Sequence, residues 1–231
     1  MTSSKGFFII GTDTGVGKTL VATSLLSGLK TRCYCTIGLK PIASGAQSTI
    51  EGLRNEDALS LQNAASIRLQ YDQVNPFCFA EAIAPHIAAT RANCSLTVST
   101  ILEACRPSLT IPVDYRIVEG VGGVCVPLNE KELFTDLVRG MGFPCILVVG
   151  LRLGCLNQAL LSWKYLQQCN LPVIGWIANQ VDSVMECVIE NVEFLKASLP
   201  IPCLGFFPYF KQINLSDFSS LIDYKALLDG G

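Results

Sequence analysis

The chain has 231 residues, half of them apolar and 16% charged, with a net charge of −2. That balance argues against a nucleic-acid or anionic-membrane surface, and no apolar run nears the roughly 20 residues of a membrane span. One α/β domain over 1–231, cytoplasmic and with a sizeable core, is the expectation.

The first stretch to carry chemistry is Gly11 to Thr19, Gly-Thr-Asp-Thr-Gly-Val-Gly-Lys-Thr. Before it, Phe7 to Ile10 predict a strand over 6–12; after it, helically spaced apolar residues predict a helix over 17–30. Strand, glycine loop and Lys-Thr helix start together describe a phosphate-binding loop, although Thr12 stands where the strict pattern has glycine. Unpaired amides at a helix start bind anions, and the helix dipole adds to the attraction. Thr14, Gly15, Val16 and Gly17 would wrap the phosphates, Lys18 would reach the β- and γ-phosphates, and Thr19 would sit on Mg²⁺.

Residues 34–42 read as a second strand ending at Lys40-Pro41, residues 43–48 as a polar loop. Asn55 or Asp57 would cap a short helix. Residues 70–95 read as irregular, and 96–106 as helical. A strand over 114–120 runs into Gly120-Val121-Gly122-Gly123. Then come a helix over 131–140, a nearly all-apolar strand over 144–150, a helix over 155–169, a strand over 173–179, a helix over 184–198, a strand over 203–207 and a helical tail from Ser216 to Leu228. Strands alternating with helices predict a doubly wound, mostly parallel sheet flanked by helices, like a P-loop NTPase. The start, Met1 to Lys5, precedes too short an apolar run for a signal peptide.

Glu119, at a strand end before a glycine cluster, reads as a magnesium carboxylate or as a solvated strand-end acid. Asp57 reads as a second metal carboxylate or as a helix cap. Lys40 would point at phosphates or at an anionic substrate, or lie on the surface. Asn179 would bind an adenine edge or close a turn. The eleven cysteines include no Cys-x-x-Cys, and there is one histidine, so zinc spacing is absent. No nucleophile–base pair is visible, which fits phosphoryl transfer.

These residues resemble a known family, ATP-dependent dethiobiotin synthetase. The resemblance rests on Gly11 to Thr19, Gly38 to Gly45, Gly52 to Asp57, Val74 to Pro76, Ala84 to His86, Val118 to Gly123, Val148 to Asn157 and Gly175 to Asn179. It spans roughly residues 5–210, in order. It implies ureido-ring closure on 7,8-diaminopelargonic acid from CO₂ and ATP with Mg²⁺, through a carbamate and a carbamic–phosphoric anhydride. It gives Mg²⁺ to Thr19, Asp57 and Glu119, the carbamate and transferring phosphate to Lys40, and substrate contact to Ser44. Gly120, Val121 and Gly122 join the nucleotide-binding residues; Asn179, Gln180, Phe207, Pro208 and Tyr209 would frame the adenine. It also implies a homodimer, with Asn157 at a helix start reaching the substrate carboxylate from the partner chain. Gly15 stands where some members carry glutamate, Val121 replaces an alanine, and Gln180 stands where an aspartate often follows the asparagine, which opens the choice of base. Two rivals share the fold. A related amidoligase would need a glutamine-hydrolysing domain, for which there is no room. A partitioning-type switch ATPase would carry a lysine at the position of Asp13.

Overall fold

Four successive apolar residues, Phe7 to Ile10, are buried together only when a strand has cover on both faces. In the computed structural model, which describes residues 5–212 and 214–229, they lie in β1 (Lys5–Gly11), buried from Gly6 onward. The reading of Met1 to Ser4 lies outside the described residues. After β1 come α1 (Lys18–Thr31), β2 (Thr36–Leu39), β3 (Ile42–Ser44), β4 (Gln47–Thr49) and β5 (Gly52–Arg54). Next are α2 (Glu56–Ala64), α3 (Tyr71–Val74), β6 (Phe77–Phe79), α4 (Pro85–Arg91), α5 (Val98–Leu109) and β7 (Tyr115–Glu119). The rest alternates: α6 (Phe134–Met141), β8 (Cys145–Leu151), α7 (Cys155–Gln168), β9 (Val173–Gln180), α8 (Val188–Ser198), β10 (Cys203–Phe207), then α9 (Leu215–Ser220) and α10 (Tyr224–Asp229).

Six strands make one parallel sheet in the order β10-β9-β8-β1-β7-β2. The chain runs from β1 out to β2, returns to β7, then crosses β1 to β8. Strand order therefore reverses around β1, and the loop after β1 opens into the crevice where such sheets bind ligands. One face of the sheet packs Phe7, Ile9, Ile117 and Val148 against Val21, Leu25 and Leu29 of α1. The other packs Phe8, Ile10, Val118 and Val149 with Ile101, Leu137, Ala159 and Leu195 from α5, α6, α7 and α8. No helix among the described residues is long and apolar enough to cross a membrane.

Several sequence expectations are corrected. The second strand ends at Leu39, because Pro41 has no N–H to continue it. The supposed polar loop at 43–48 holds parts of two strands: β3 pairs in parallel with β6, and β4 pairs antiparallel with β5. Residues 70–95, expected to be irregular, contain α3, β6 and α4. Elements of three to seven residues are too short for a periodic signal, and they form because tertiary neighbours complete them. The helix expected from 184 starts at Val188, after Cys187 turns the backbone left-handed at φ 53°. The tail is two short helices, pinned to α1 where the Tyr224 hydroxyl donates to the Ser24 carbonyl at 3.2 Å and Arg32 stacks 3.8 Å above the Tyr224 ring.

Leu25, fully buried in α1, tests this core. Leu25→Ala should lower unfolding free energy by about 2–5 kcal/mol in denaturant titration. Val184→Ser, at a site 80% exposed, should shift it by less than about 0.5 kcal/mol.

Candidate active site

The site grows from three strand ends and two helix starts. Leu39 of β2 sits opposite Val118 of β7, so the next residue along each strand, Lys40 and Glu119, meet although 79 positions apart. Asn55 caps α2, its side chain accepting from Ala58 N at 3.2 Å, and this puts Asp57 in the first helical turn. The structure thus assigns the cap to Asn55 and leaves Asp57 free for other work. Thr19 lies in the first turn of α1.

The Lys40 ammonium has three N–H groups and three acceptors: Glu119 Oε1 at 2.5 Å, Asp57 Oδ2 at 3.0 Å and the Gly120 carbonyl at 3.0 Å. The Thr19 hydroxyl lies 2.8 Å from Asp57 Oδ1 and 2.9 Å from Glu119 Oε1; its one proton serves either carboxylate in turn. Lys40 is 4% exposed and Glu119 1%. Burial opposes charge on Lys40, but Glu119 and Asp57 outweigh it and hold the ammonium above its ordinary pKa. Burial likewise pushes the Glu119 carboxyl up, against the pull of Lys40. Burial would also raise Asp57, yet Lys40 and the Thr19 hydrogen bond bring it below the usual carboxylate range. Removing one partner of such a buried set costs about 3–5 kcal/mol.

Glu119 Oε2 remains buried without a partner. Together with Asp57 and the Thr19 hydroxyl it offers hard oxygen donors. Two carboxylates and a hydroxyl suit Mg²⁺, which takes much of its shell from water and phosphate oxygens.

The loop itself is held from beneath. Val16 is fully buried, and a Cβ on Gly150 of β8 would lie 2.8 Å from its side chain. Gly17 has φ 89°, and a Cβ there would stand 2.1 Å from Asn179 Nδ2, so only glycine fits. Asn179 Nδ2 donates to the Val16 carbonyl at 2.9 Å. Lys18 Nζ donates to the carbonyls of Asp13 at 2.8 Å and Gly122 at 2.6 Å. Burial and the nearby Lys40 charge lower the Lys18 pKa to about 8.

One cavity of about 790 Å³ is lined by Thr14, Gly15, Gly17, Lys18 and Thr19, and by Lys40, Ser44, Asp57, Glu119, Val121 and Gly122. Ser44 Oγ is buried there without a partner. The far wall is apolar, formed by Ile83, Pro85, Val126 and Pro127. The remaining sequence-predicted residues lie outside this cavity. Gln180 bridges two strand ends: its Oε1 accepts from Tyr209 N at 3.3 Å and its Nε2 donates to the Asp182 carbonyl at 3.2 Å. The Phe207 ring is fully buried against Phe218, with centroids 5.0 Å apart, so it belongs to the core. Tyr209 is exposed, Pro208 half-buried, and Asn157 exposed in the first turn of α7.

Sequence reasoning missed a clamp on the loop. Asp13 Oδ2 accepts from Arg152 at 2.6 Å and Gln158 at 3.1 Å, tying the loop to the start of α7. The sequence marks Asp13 only as the wrong residue for a switch ATPase, and nothing local marks residues 139 apart as partners.

A phosphate-binding loop at the strand-order reversal of a parallel sheet, with lysine and acidic oxygens converging on it, defines a P-loop ATP-binding protein. A family model described as an AAA domain matches residues 5–216. A ParA family ATPase from Chlorobium tepidum TLS superposes with TM-score 0.61 over 97% of this chain and 99% of its own, at 14% identity, a likeness of fold alone. ATP-dependent dethiobiotin synthetase BioD of Cellvibrio japonicus is 45% identical over 98% of this chain and 99% of its own length. The same-named protein of Pseudomonas aeruginosa strain LESB58 is 43% identical over 96% and 97%. At that identity over essentially whole chains, the protein belongs to the ATP-dependent dethiobiotin synthetase family, ATP-dependent ligases of biotin biosynthesis.

The lowered Lys18 pKa predicts a pH effect on nucleotide binding. Above about pH 8 the free ammonium loses its proton, while bound phosphates favour the charged form. In metal-free buffer, ADP affinity should therefore fall by up to about ten-fold per pH unit above that value, with proton uptake on binding. Calorimetry in two buffers of different ionisation enthalpy measures the uptake. Lys18→Met should abolish it.

Proposed function

We propose that the chain closes the ureido ring of 7,8-diaminopelargonic acid with CO₂ and ATP, giving dethiobiotin, ADP and phosphate. The observation that carries this reading is the Lys40 ammonium, matched to Glu119, Asp57 and Gly120 in the same cavity as Lys18 and Thr19. Residues 1–231 act as one synthetase domain.

One substrate amine attacks CO₂ and loses a proton, forming a carbamate. A carbamate oxygen attacks the γ-phosphorus and ADP leaves. The second amine attacks the carbonyl carbon of the resulting anhydride and expels phosphate. A carbamate is a weak nucleophile, so the protein's main task is to hold it in line with the γ-phosphate. Lys18 and the loop amides hold the phosphates. Lys40 directs its charge at the carbamate and the transferring phosphoryl group, where negative charge is shared in the transition state. Thr19, Asp57 and Glu119 hold Mg²⁺, which when bound neutralises phosphate charge. Ser44 meets the substrate beside Lys40, and the wall of Ile83, Pro85, Val126 and Pro127 suits its alkyl chain. The backbone at Phe207, with Asn179, Gln180, Pro208 and Tyr209, frames the adenine. A homodimer completes the site, with Asn157 of the second copy taking the substrate carboxylate at the α7 start.

Phosphate release from Mg-ATP and bicarbonate should require the diamine and match dethiobiotin formed. Diamine-independent hydrolysis would count against this reading. Lys40→Ala should lower turnover by about 10²–10³-fold while ADP still binds. It should also lower thermal stability, because Glu119 loses its cation. Near-full turnover in that variant would remove Lys40 from the mechanism.

A further inference from the structure

Behind the active-site cavity, Tyr71 joins two of the elements that build it. Tyr71 opens α3 and is 8% exposed, with the Arg54 guanidinium 4.3 Å from its ring centroid. Its hydroxyl accepts from the Asn55 backbone N–H at 2.7 Å and donates to Asn75 Oδ1 at 3.0 Å. The sense of the second bond follows from Asn75, whose Nδ2 donates to the Lys40 carbonyl at 2.6 Å and the Phe77 carbonyl at 3.2 Å. Its oxygen is left to accept. The Lys40 N–H in turn donates to the Val74 carbonyl at 2.8 Å. On the other side of Tyr71, Asn55 caps α2, and two residues on, Asp57 receives the Lys40 ammonium. Polar contacts and covalent chain together close a ring: Lys40 backbone, Asn75, Tyr71 and Asn55 by hydrogen bonds, Asn55 to Asp57 along α2, and Asp57 to the Lys40 ammonium. The hydrogen bonds from Asn55 N–H through Tyr71 and Asn75 to the Lys40 carbonyl form one chain, and bonds chained in a low-dielectric interior reinforce one another.

We propose that Tyr71 is a positioning residue for the reaction: its hydroxyl sets the distance between the strand end carrying Lys40 and the helical turn carrying Asp57. This rests on the functional reading above, which gives Lys40 and Asp57 their roles. A phenylalanine ring could fill the same space. Only the hydroxyl both accepts from Asn55 and donates to Asn75. Without it, a buried N–H and a buried amide oxygen lose their partners. They regain partners only if the α2 start or the strand end moves, and either movement displaces Asp57 relative to Lys40. Tyr71 does not line the active-site cavity; it lines a separate, smaller cleft with Arg54, Leu59 and Gln62, so it acts without touching the substrate.

The test is Tyr71→Phe in the full chain. Diamine-dependent kcat should fall about ten-fold or more, while KM for ATP changes less than about two-fold. ADP affinity without metal should be unchanged, and the gain in ADP affinity on adding Mg²⁺, measured by calorimetry without diamine, should shrink about ten-fold. Ser108→Ala is the control, since it removes the 2.8 Å bond from the Ser108 hydroxyl on α5 to the Gln73 carbonyl on α3, the helix that Tyr71 opens. It should lower the unfolding midpoint and leave kcat and the Mg²⁺ gain alone. If Tyr71→Phe is too unstable to assay, Asn75→Ser cuts the link to Lys40 from the other side and should give the same split. Wild-type kcat and Mg²⁺ gain in a folded Tyr71→Phe protein would overturn the proposal and leave Tyr71 a core residue. If the wild type shows no diamine-dependent release but the variant still loses the Mg²⁺ gain, the synthetase reading fails and the positioning role stands.

Discussion

The Lys40 ammonium, enclosed by Glu119, Asp57 and the Gly120 carbonyl, is the interaction on which the rest of the structure depends. Buried charges are tolerated only when paired and fully hydrogen-bonded. Here that condition recruits the β1-β7-β2 side of the sheet. β2 must lie beside β7 to bring Lys40 to Glu119. α2 must begin at Asn55 to bring in Asp57. Thr19 must open α1 close enough to share both carboxylates. With its three N–H groups all taken, the Lys40 ammonium is held in one place in the resting protein.

The phosphate loop shows the same economy in backbone form. It is short and glycine-bearing, so it has little rigidity of its own. Rigidity comes from outside: Val16 is buried over Gly150, the Asn179 amide donates to the Val16 carbonyl, and Asp13 is tied to Arg152 and Gln158. Asn179 therefore links the end of β9 with the loop at Val16. The acid at position 13 spends its charge within the chain, where a switch ATPase would present a lysine. The ParA-like fold and the synthetase family membership are thus compatible, because the fold fixes where ligands bind and the side chains at strand ends decide the chemistry.

Much of this was legible in the residues, and unevenly so. Gly11 to Thr19 announced its structure because Gly17, Lys18 and Thr19 answer to local backbone geometry and phosphate contact. The apolar run at Cys145 to Val149 announced a central strand because only a doubly covered strand buries every residue. Glu119 was marked by its place between such a strand and a glycine cluster. Tyr71 and Asn75 carried no such mark as a pair, and the clamp from Arg152 to Asp13 joins residues that share no local pattern. The short strands β3, β4, β5 and β6 were invisible for a related reason: three residues cannot display a period.

The sequence by itself determined the alternation of strands and helices, the phosphate loop, the family and the identity of the charged groups at the strand ends. These are local properties, written in hydrophobic period, glycine placement and motif spacing. Only the tertiary structure decided that Lys40 pairs with both carboxylates, that Asn55 rather than Asp57 caps α2, that Asn179 holds the loop, and that the Phe207 ring belongs to the core. The cap is a local contact, from Asn55 to Ala58 N three residues on, where the residues offered two candidates. The other three depend on strand order and register, which bring together residues far apart in the chain, and no local pattern encodes which distant groups will share a buried space.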